Sequence, residues 1–368
     1  MVSVDECFRP QMSLRVRRWG IVGAHAFLMP SRESSESVAR RLALAFRDGV
    51  FTQDDARSVG VTPKQLRTAH AHDLVERISR GYYRVTGVSV PLDRDVTLRA
   101  ALSLIPDAVV SHHSAAMLHG LPEVGVAARL GRPTFTRPGD HHRNGEGFRI
   151  SGSRLAEDEI VEVCGIRVTS VARTAIDIAR TVKMPDALAI ADAASRLMIA
   201  QATGDAFHAA DDIEAANRVR DSVRDPVLVR MAQQDFRRSI ARMTNWNGIG
   251  WARLAARHMN PAAESVLESV SRWHMIVFGL PLPQLGVPLR DLDGTMRWLD
   301  FWWPDRRVIG EADGVVKYDS RAALLAEKRR EDALRAVVDG FVRWDWAEGV
   351  VNPHLMIRKI RHALRHLA

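Results

Sequence analysis

The segment Trp298-Leu-Asp300-Phe-Trp-Trp-Pro-Asp305-Arg-Arg-Val-Ile-Gly-Glu311-Ala-Asp313-Gly-Val-Val-Lys317-Tyr318 restricts the possible folds more than any other part of the chain. It reads as two short strands that carry carboxylates to one place. Successive side chains of a strand alternate faces, so Trp298, Asp300 and Trp302 share one side, and Glu311 and Asp313 share a side of the next strand. Carboxylates gathered in this way repel one another unless something positive joins them. Oxygen ligands in a cluster suit a hard divalent cation such as Mg2+, and such a cation suits phosphodiester hydrolysis.

The flanks extend the pattern. Asp293-Gly294 is a hairpin signal of the type that needs positive φ at both central residues. Upstream, Asn260 is a candidate cap for a helix with Pro261 at its first position and Gly279 at its end, which puts Glu264 and Glu268 one turn apart on one face. Downstream, Ser320 is a candidate cap for a helix running to about Val338, with Gly340 as its stop and a strand, Phe341 to Trp346, after it. The expected order is helix, strand, strand, strand, helix, strand.

This order and these residues resemble the PD-(D/E)XK nuclease superfamily, most closely its very-short-patch-repair-like branch, over residues 260 to 350 or so. The resemblance implies a catalytic set of Glu268, Asp300, Glu311 and Lys317, with Glu268 following Ser265-Val-Leu267 as the family's helix glutamate does. It also implies Mg2+, or Mn2+, held by Asp300, Glu311 and Asp313. Asp313 stands where the broad superfamily has a lysine, and Lys317 where the closer branch often has a histidine, so the cation of the site has moved. A second account of the same residues is a structural or decayed nuclease fold, in which Glu311 and Asp313 end a strand and pair with arginines. The run Glu327-Lys328-Arg-Arg330-Glu331 reads as a solvated face or a phosphate contact, and Arg343 on the last strand reads the same way.

At 368 residues the chain exceeds one ordinary domain. Its 46% hydrophobic content is ample for packed cores. Lysine and arginine outnumber acids 52 to 44, and the net charge of +8 favours a polyanionic partner, although the excess is spread along the chain. Two cysteines, Cys7 and Cys164, are too few for a metal cluster or a disulfide framework and favour a reducing cytoplasm. No apolar run approaches the roughly twenty residues that span a bilayer. Arg15-Val-Arg17-Arg18 before Trp19–Met29 resembles the start of a signal peptide but no cleavage site follows, and residues 1–37 read as a loose extension.

From Val38 to Phe46 an amphipathic helix is expected, then a second from Gln53 to Val59 capped by Thr52, and a third capped by Thr62 with Pro63 at its first position. Helix, glycine turn and capped helix make a helix-turn-helix. Leu74 to Val85, turning at Gly81, reads as a two-stranded basic wing. Lys64, Gln65, Arg67 and Thr68 on the third helix, with Arg77, Arg80 and Arg84 on the wing, are the candidate DNA contacts, combining groove and backbone.

Phe51-Thr52, Gly60-Val61-Thr62 and Gly81-Tyr82-Tyr83-Arg84 resemble the winged helix at the front of AbiEi-type antitoxins. Val110-Ser111-His112-His113-Ser114 through Leu118-His119-Gly120-Leu121, and Thr169-Ser170 through Arg173-Thr174 to Asp177, resemble later stretches of the same group, so the likeness spans residues 38 to 197 or so. His112, His113 and His119 read as capping or satisfied histidines and not as metal ligands. Asp177 and Asp192 read as buried partners of Arg173 or Arg196.

The chain is therefore expected to be α+β: a winged helix-turn-helix at 38–88, an α/β middle domain at 89–200, a helical connector at 201–257 and a restriction-endonuclease-like α/β domain at 258–368. The function expected first is that of a cytoplasmic double-stranded-DNA-binding protein with a Mg2+-dependent endonuclease domain. The alternative is a non-enzymatic antitoxin-like transcriptional repressor of a type IV toxin-antitoxin system, with a cognate toxin as a candidate partner. Action on RNA is a third reading, and the oligomeric state is not readable from the sequence.

Overall fold

A computed structural model of the chain describes residues 34–46, 49–79, 81–87, 98, 102, 105, 107–125, 132–139, 143–145, 148–206, 212–314 and 321–365. Arg80, His141, His142, Lys317 and Ser320 lie outside the described residues. The chain divides into two compact units. One comprises residues 1–110, 131–156 and 160–168, and the other residues 111–130, 157–159 and 169–368.

The first unit contains the winged helix. Ser34 caps α1 (Ser35–Ala45), its hydroxyl accepting from the Ser37 amide at 3.2 Å. Thr52 and Thr62 cap α2 (Gln53–Ser58) and α3 (Pro63–Ala71) through reciprocal capping boxes. Asp55 accepts from the Thr52 amide at 2.8 Å, and Gln65 from the Thr62 amide at 2.9 Å. β2 (Val75–Ser79) and β3 (Tyr82–Val85) form the wing, turning at Gly81, whose φ of 85° favours glycine. β1 (Val50–Thr52), a strand not expected from the sequence, adds antiparallel to β3, giving the order β1-β3-β2. Phe51 is buried between Phe46 and Tyr83, with ring centroids 5.7 and 5.9 Å away. Burying such a ring contributes roughly 1.5–3 kcal/mol.

A second sheet in this unit has the order β6-β7-β5-β4-β9-β8. Its strands are β4 (Val109–Val110), β5 (Thr134–Arg137), β6 (Arg143–Gly145), β7 (Phe148–Gly152), β8 (Ile160–Val163) and β9 (Ile166–Thr169). Cys164 lies in the β8–β9 turn with a φ of 51°, and Cys7 lies outside the described residues.

The second unit begins with helices: α4 (His112–Leu118), α5 (Val171–Ala179), α6 (Met184–Thr203), α7 (Ile213–Ser222), α8 (Pro226–Ala241), α9 (Ile249–His258) and α10 (Val266–Val277). His119, just past α4, donates from Nε2 to the Thr169 carbonyl at 2.7 Å, so it is a satisfied histidine as expected. Arg173 bonds Asp177 at 2.8 Å and Glu159 at 3.0 Å, all three buried. Asp192 does not pair with Arg196. Its two oxygens accept from Arg272 on α10 at 3.0 Å, while Arg196 turns to Glu264.

The sheet of this unit has the order β10-β11-β12-β13, with β10 (Gln284–Arg290), β11 (Met296–Trp303), β12 (Val308–Asp313) and β13 (Gly340–Asp345). The first two pairings are antiparallel and β12–β13 is parallel, made possible by the crossover helix α11 (Arg321–Arg335). The run α10, β10, β11, β12, α11, β13 keeps the expected element order, and α12 (Pro353–Arg365) follows it. Leu299, Phe301 and Trp303 are buried on one face of β11, which leaves Trp298, Asp300 and Trp302 together on the other. Gly310 is required here, because a Cβ at that position would come within 2.8 Å of Trp344 and 3.0 Å of Trp303.

Two local expectations fail for physical reasons. The helix bearing Glu268 begins at Val266 and not at Pro261. Ser265 caps it, and Asn260 instead makes a tight turn by accepting from the Ala262 amide at 3.0 Å. In the β10–β11 connection only Gly294 has positive φ. Asp291 organises that loop, accepting from the amides of Asp293 and Thr295 and from Arg297 Nε.

Burial pushes the Asp192 carboxyl above its ordinary pKa, and Arg272 opposes the shift. Arg272→Met leaves that buried acid uncompensated and is expected to cost about 3 kcal/mol or more in chemical-denaturant unfolding. A loss under 1 kcal/mol would show that the pair is dispensable.

Candidate functional site

On α3, Leu66 and Ala69 face the core, so Lys64, Arg67 and Thr68 line the opposite, exposed side at i, i+3 and i+4. The Thr68 hydroxyl folds back on the Lys64 carbonyl at 3.0 Å. Gln65 was an expected DNA contact, but its side-chain carbonyl is spent on the Thr62 amide and hydroxyl, because the cap needs an acceptor there. Arg84, also expected to reach phosphate, is ion-paired to Glu76 at 2.7 Å, and the two sit opposite each other in the β2–β3 register. Arg77 is exposed on β2. Among the described residues expected to contact DNA, Lys64 and Arg67 on α3 and Arg77 on the wing are the exposed cations.

The acidic corner lies in the second unit. Glu268 is at the third position of α10 and is buried. Its oxygens accept from the Ser265 hydroxyl at 2.8 Å and the Glu264 amide at 2.9 Å, while the Ser265 hydroxyl accepts from the Glu268 amide. The Ser265-x-x-Glu268 spacing is that of a capping box, but the Glu268 carboxylate reaches past the cap's own amide to that of Glu264. Asp300 accepts from the Ala312 amide at 2.9 Å, which ties β11 to β12.

Glu311 takes another course. It is 4% exposed and accepts from Arg330 on α11 at 2.8 and 3.3 Å, with Arg343 3.4 Å away. The parallel register sets Arg343 directly opposite Glu311. Arg343 also bonds Asp313 at 2.9 Å and Glu331 at 2.7 Å. Glu264, outside the helix, is clamped by Arg220 and Arg196. Burial opposes its ionisation, but hydrogen bonds from Arg220 and the charge of both arginines hold its pKa below the ordinary value.

The expected ligand set therefore does not assemble. Glu311 and Asp313 are held by guanidinium groups, and among the described residues no three His, Cys, Asp or Glu side chains form a group able to hold a metal ion. The residues as placed do not fit Mg2+ on Asp300, Glu311 and Asp313. Arg330 and Arg343 are the partners that the acidic pattern alone does not show. Burial, followed by the Asp300 charge, pushes Glu268 up to about 8. Burial raises Asp300 to about 6 against the Ala312 hydrogen bond.

A family described as "Transcriptional regulator, AbiEi antitoxin" matches residues 41–86. The winged-helix segment is thus similar to that regulator domain. Two Mycobacterium tuberculosis proteins, both called uncharacterized, are each 31% identical over 168 residues, which is 46% of this chain and 51% of theirs. The chain thus spans about half the length of the curated relatives it matches. Among the described residues no helix is long and apolar enough to cross a membrane.

The raised carboxyls give stability a direction with pH. With folded pKa values of about 8 and about 6 against ordinary values of 4.5 and 3.8, the native state holds more protons than the unfolded chain in between. Their contribution is complete below about pH 4 and is lost as pH rises through 6 to 8. Asp300→Asn keeps an acceptor for the Ala312 amide and removes one charge, so its melting temperature is expected to gain on the wild type as pH rises. Parallel curves for the two proteins across that range would refute the coupling.

Proposed function

We propose that this chain is a duplex-DNA-binding transcriptional regulator of the AbiEi-antitoxin type. The observation that carries the reading is the exposed face of α3, where Lys64 and Arg67 project away from the buried Leu66 and Ala69 inside the segment matched by that regulator family. A helix presented this way suits a groove, and arginine on the wing suits the flanking phosphates. The net charge of +8 adds attraction for a polyanion. A cognate toxin is the protein partner that an antitoxin role implies.

The expected measurement is a salt series of duplex binding to the gene's own promoter region. Lys64→Ala with Arg67→Ala should weaken binding and reduce the slope of log affinity against log salt by about 1.8, from about 0.9 per phosphate contact. An unchanged slope removes α3 from the interface.

One observation favours a second reading, Mg2+-dependent phosphodiester cleavage. Glu268 and Asp300 are buried acids with raised pKa values at one corner of a unit that keeps the helix-strand-strand-strand-helix-strand order. Against it stand the arginines on Glu311 and Asp313. Plasmid nicking by the wild type that needs Mg2+ or Mn2+, stops with EDTA and disappears in Asp300→Ala would establish the nuclease. No cleavage of DNA or RNA with either metal leaves the regulator alone.

A further inference from the structure

Helix α12 contains Arg358, Lys359, Arg361 and Arg365 together with His354 and His362, and no Asp or Glu. Met356, Ile357 and Ile360 are buried against the core of the second unit, which fixes the rotation of the helix. Arg358, Arg361, His362 and Arg365 consequently fall on one exposed side at i, i+3, i+4 and i+7. Together they line a hollow of about 510 Å3. Arg361 is steadied there by donating to the Phe278 carbonyl at 3.0 Å. Lys359 lies to the side and pairs with Glu348 at 2.6 Å, so it stays out of this face.

We infer that this arginine face of α12 is a second nucleic-acid contact, which takes backbone phosphates of duplex DNA. The proposal rests on the reading of the chain as a DNA-binding protein and adds a surface that the winged helix does not supply. Three arginines within two helical turns offer planar forks that match phosphate oxygens two at a time. A small-molecule pocket would be lined mainly by apolar and aromatic groups, whereas each described residue lining this hollow is an arginine or a histidine. A membrane-surface helix would expose an apolar face to insert, whereas Met356, Ile357 and Ile360 of α12 are buried and Ala363 and Leu364 pack half-buried against the same core. An acidic protein partner would need an exposed apolar anchor at the centre of the patch, and among the described residues of α12 no apolar side chain is fully exposed.

The test uses the full chain and a fluorescent duplex over a series of KCl concentrations. Arg358→Ala with Arg365→Ala should lower the salt slope by about 1.8, and Arg358→Lys with Arg365→Lys should restore most of it, because charge and not helix packing sets the slope. The Lys64→Ala and Arg67→Ala protein is measured beside them. If only the α12 variant lowers the slope, this inference stands and the assignment of α3 falls. If only the α3 variant does, the inference falls and the winged-helix reading stands. A wild type that binds no duplex overturns both, and an α12 alanine variant with the wild-type slope overturns this one.

Discussion

Charge taken out of water must be cancelled where it lies, and in the second unit this requirement decides which elements meet. Asp192 on α6 is met by Arg272 on α10, eighty residues away in sequence. Arg173 on α5 is held between Asp177 on its own helix and Glu159 from the segment before β8. Glu311 on β12 draws Arg330 from the crossover helix and Arg343 from the neighbouring parallel strand. Each bond is tertiary in effect, since removing one partner exposes the other to the full cost of burial. Glu268 and Asp300 are the exception. Their hydrogen bonds come from backbone amides and one serine, and burial pushes both carboxyls above their ordinary pKa values.

The parts of the fold legible in the sequence are those whose causes lie within a few residues. Thr52 and Thr62 as caps, Pro63 at a first turn and Gly81 at the wing tip all act through local backbone geometry, whereas Gly340, expected to stop a helix running to about Val338, is the first residue of β13 and lies beyond the end of α11 at Arg335. The start of α10 is ambiguous in the sequence because Asn260-Pro261 is also a helix signal, and nothing local ranks it against Ser265 with Glu268 three residues on. Three-residue β1 carries too few positions to show a period, and its partner β3 lies some thirty residues later.

Charge partners were much less legible. Helical spacing offered Arg196 to Asp192, four residues before it on α6, yet Arg272 from another helix took the carboxylate. Counting carboxylates near Asp300 and Glu311 suggested a ligand group, because a strand pattern shows which acids share a face but not which cations arrive from elsewhere. In the sequence Arg330 reads as part of a solvated run or a phosphate contact, yet it reaches back nineteen residues to Glu311. The account in which Glu311 and Asp313 pair with arginines was available from sequence, but only the register of β12 on β13 supplies a reason for it.

Arginine and a divalent cation are alternative ways of neutralising Glu311, and they compete for the same oxygens. Both carboxylate oxygens already accept from Arg330, at 2.8 and 3.3 Å, with Arg343 beside them and Asp313 tied to the same guanidinium. A metal ion entering there must displace two guanidinium groups and leave them close to itself, and like charges at such a separation repel strongly in a buried setting. Cleavage chemistry at this corner thus requires α11 and β13 to release their arginines first. The regulator reading asks for no such rearrangement, since the exposed side chains of Lys64 and Arg67 already stand on a capped helix whose opposite face is packed into its own core.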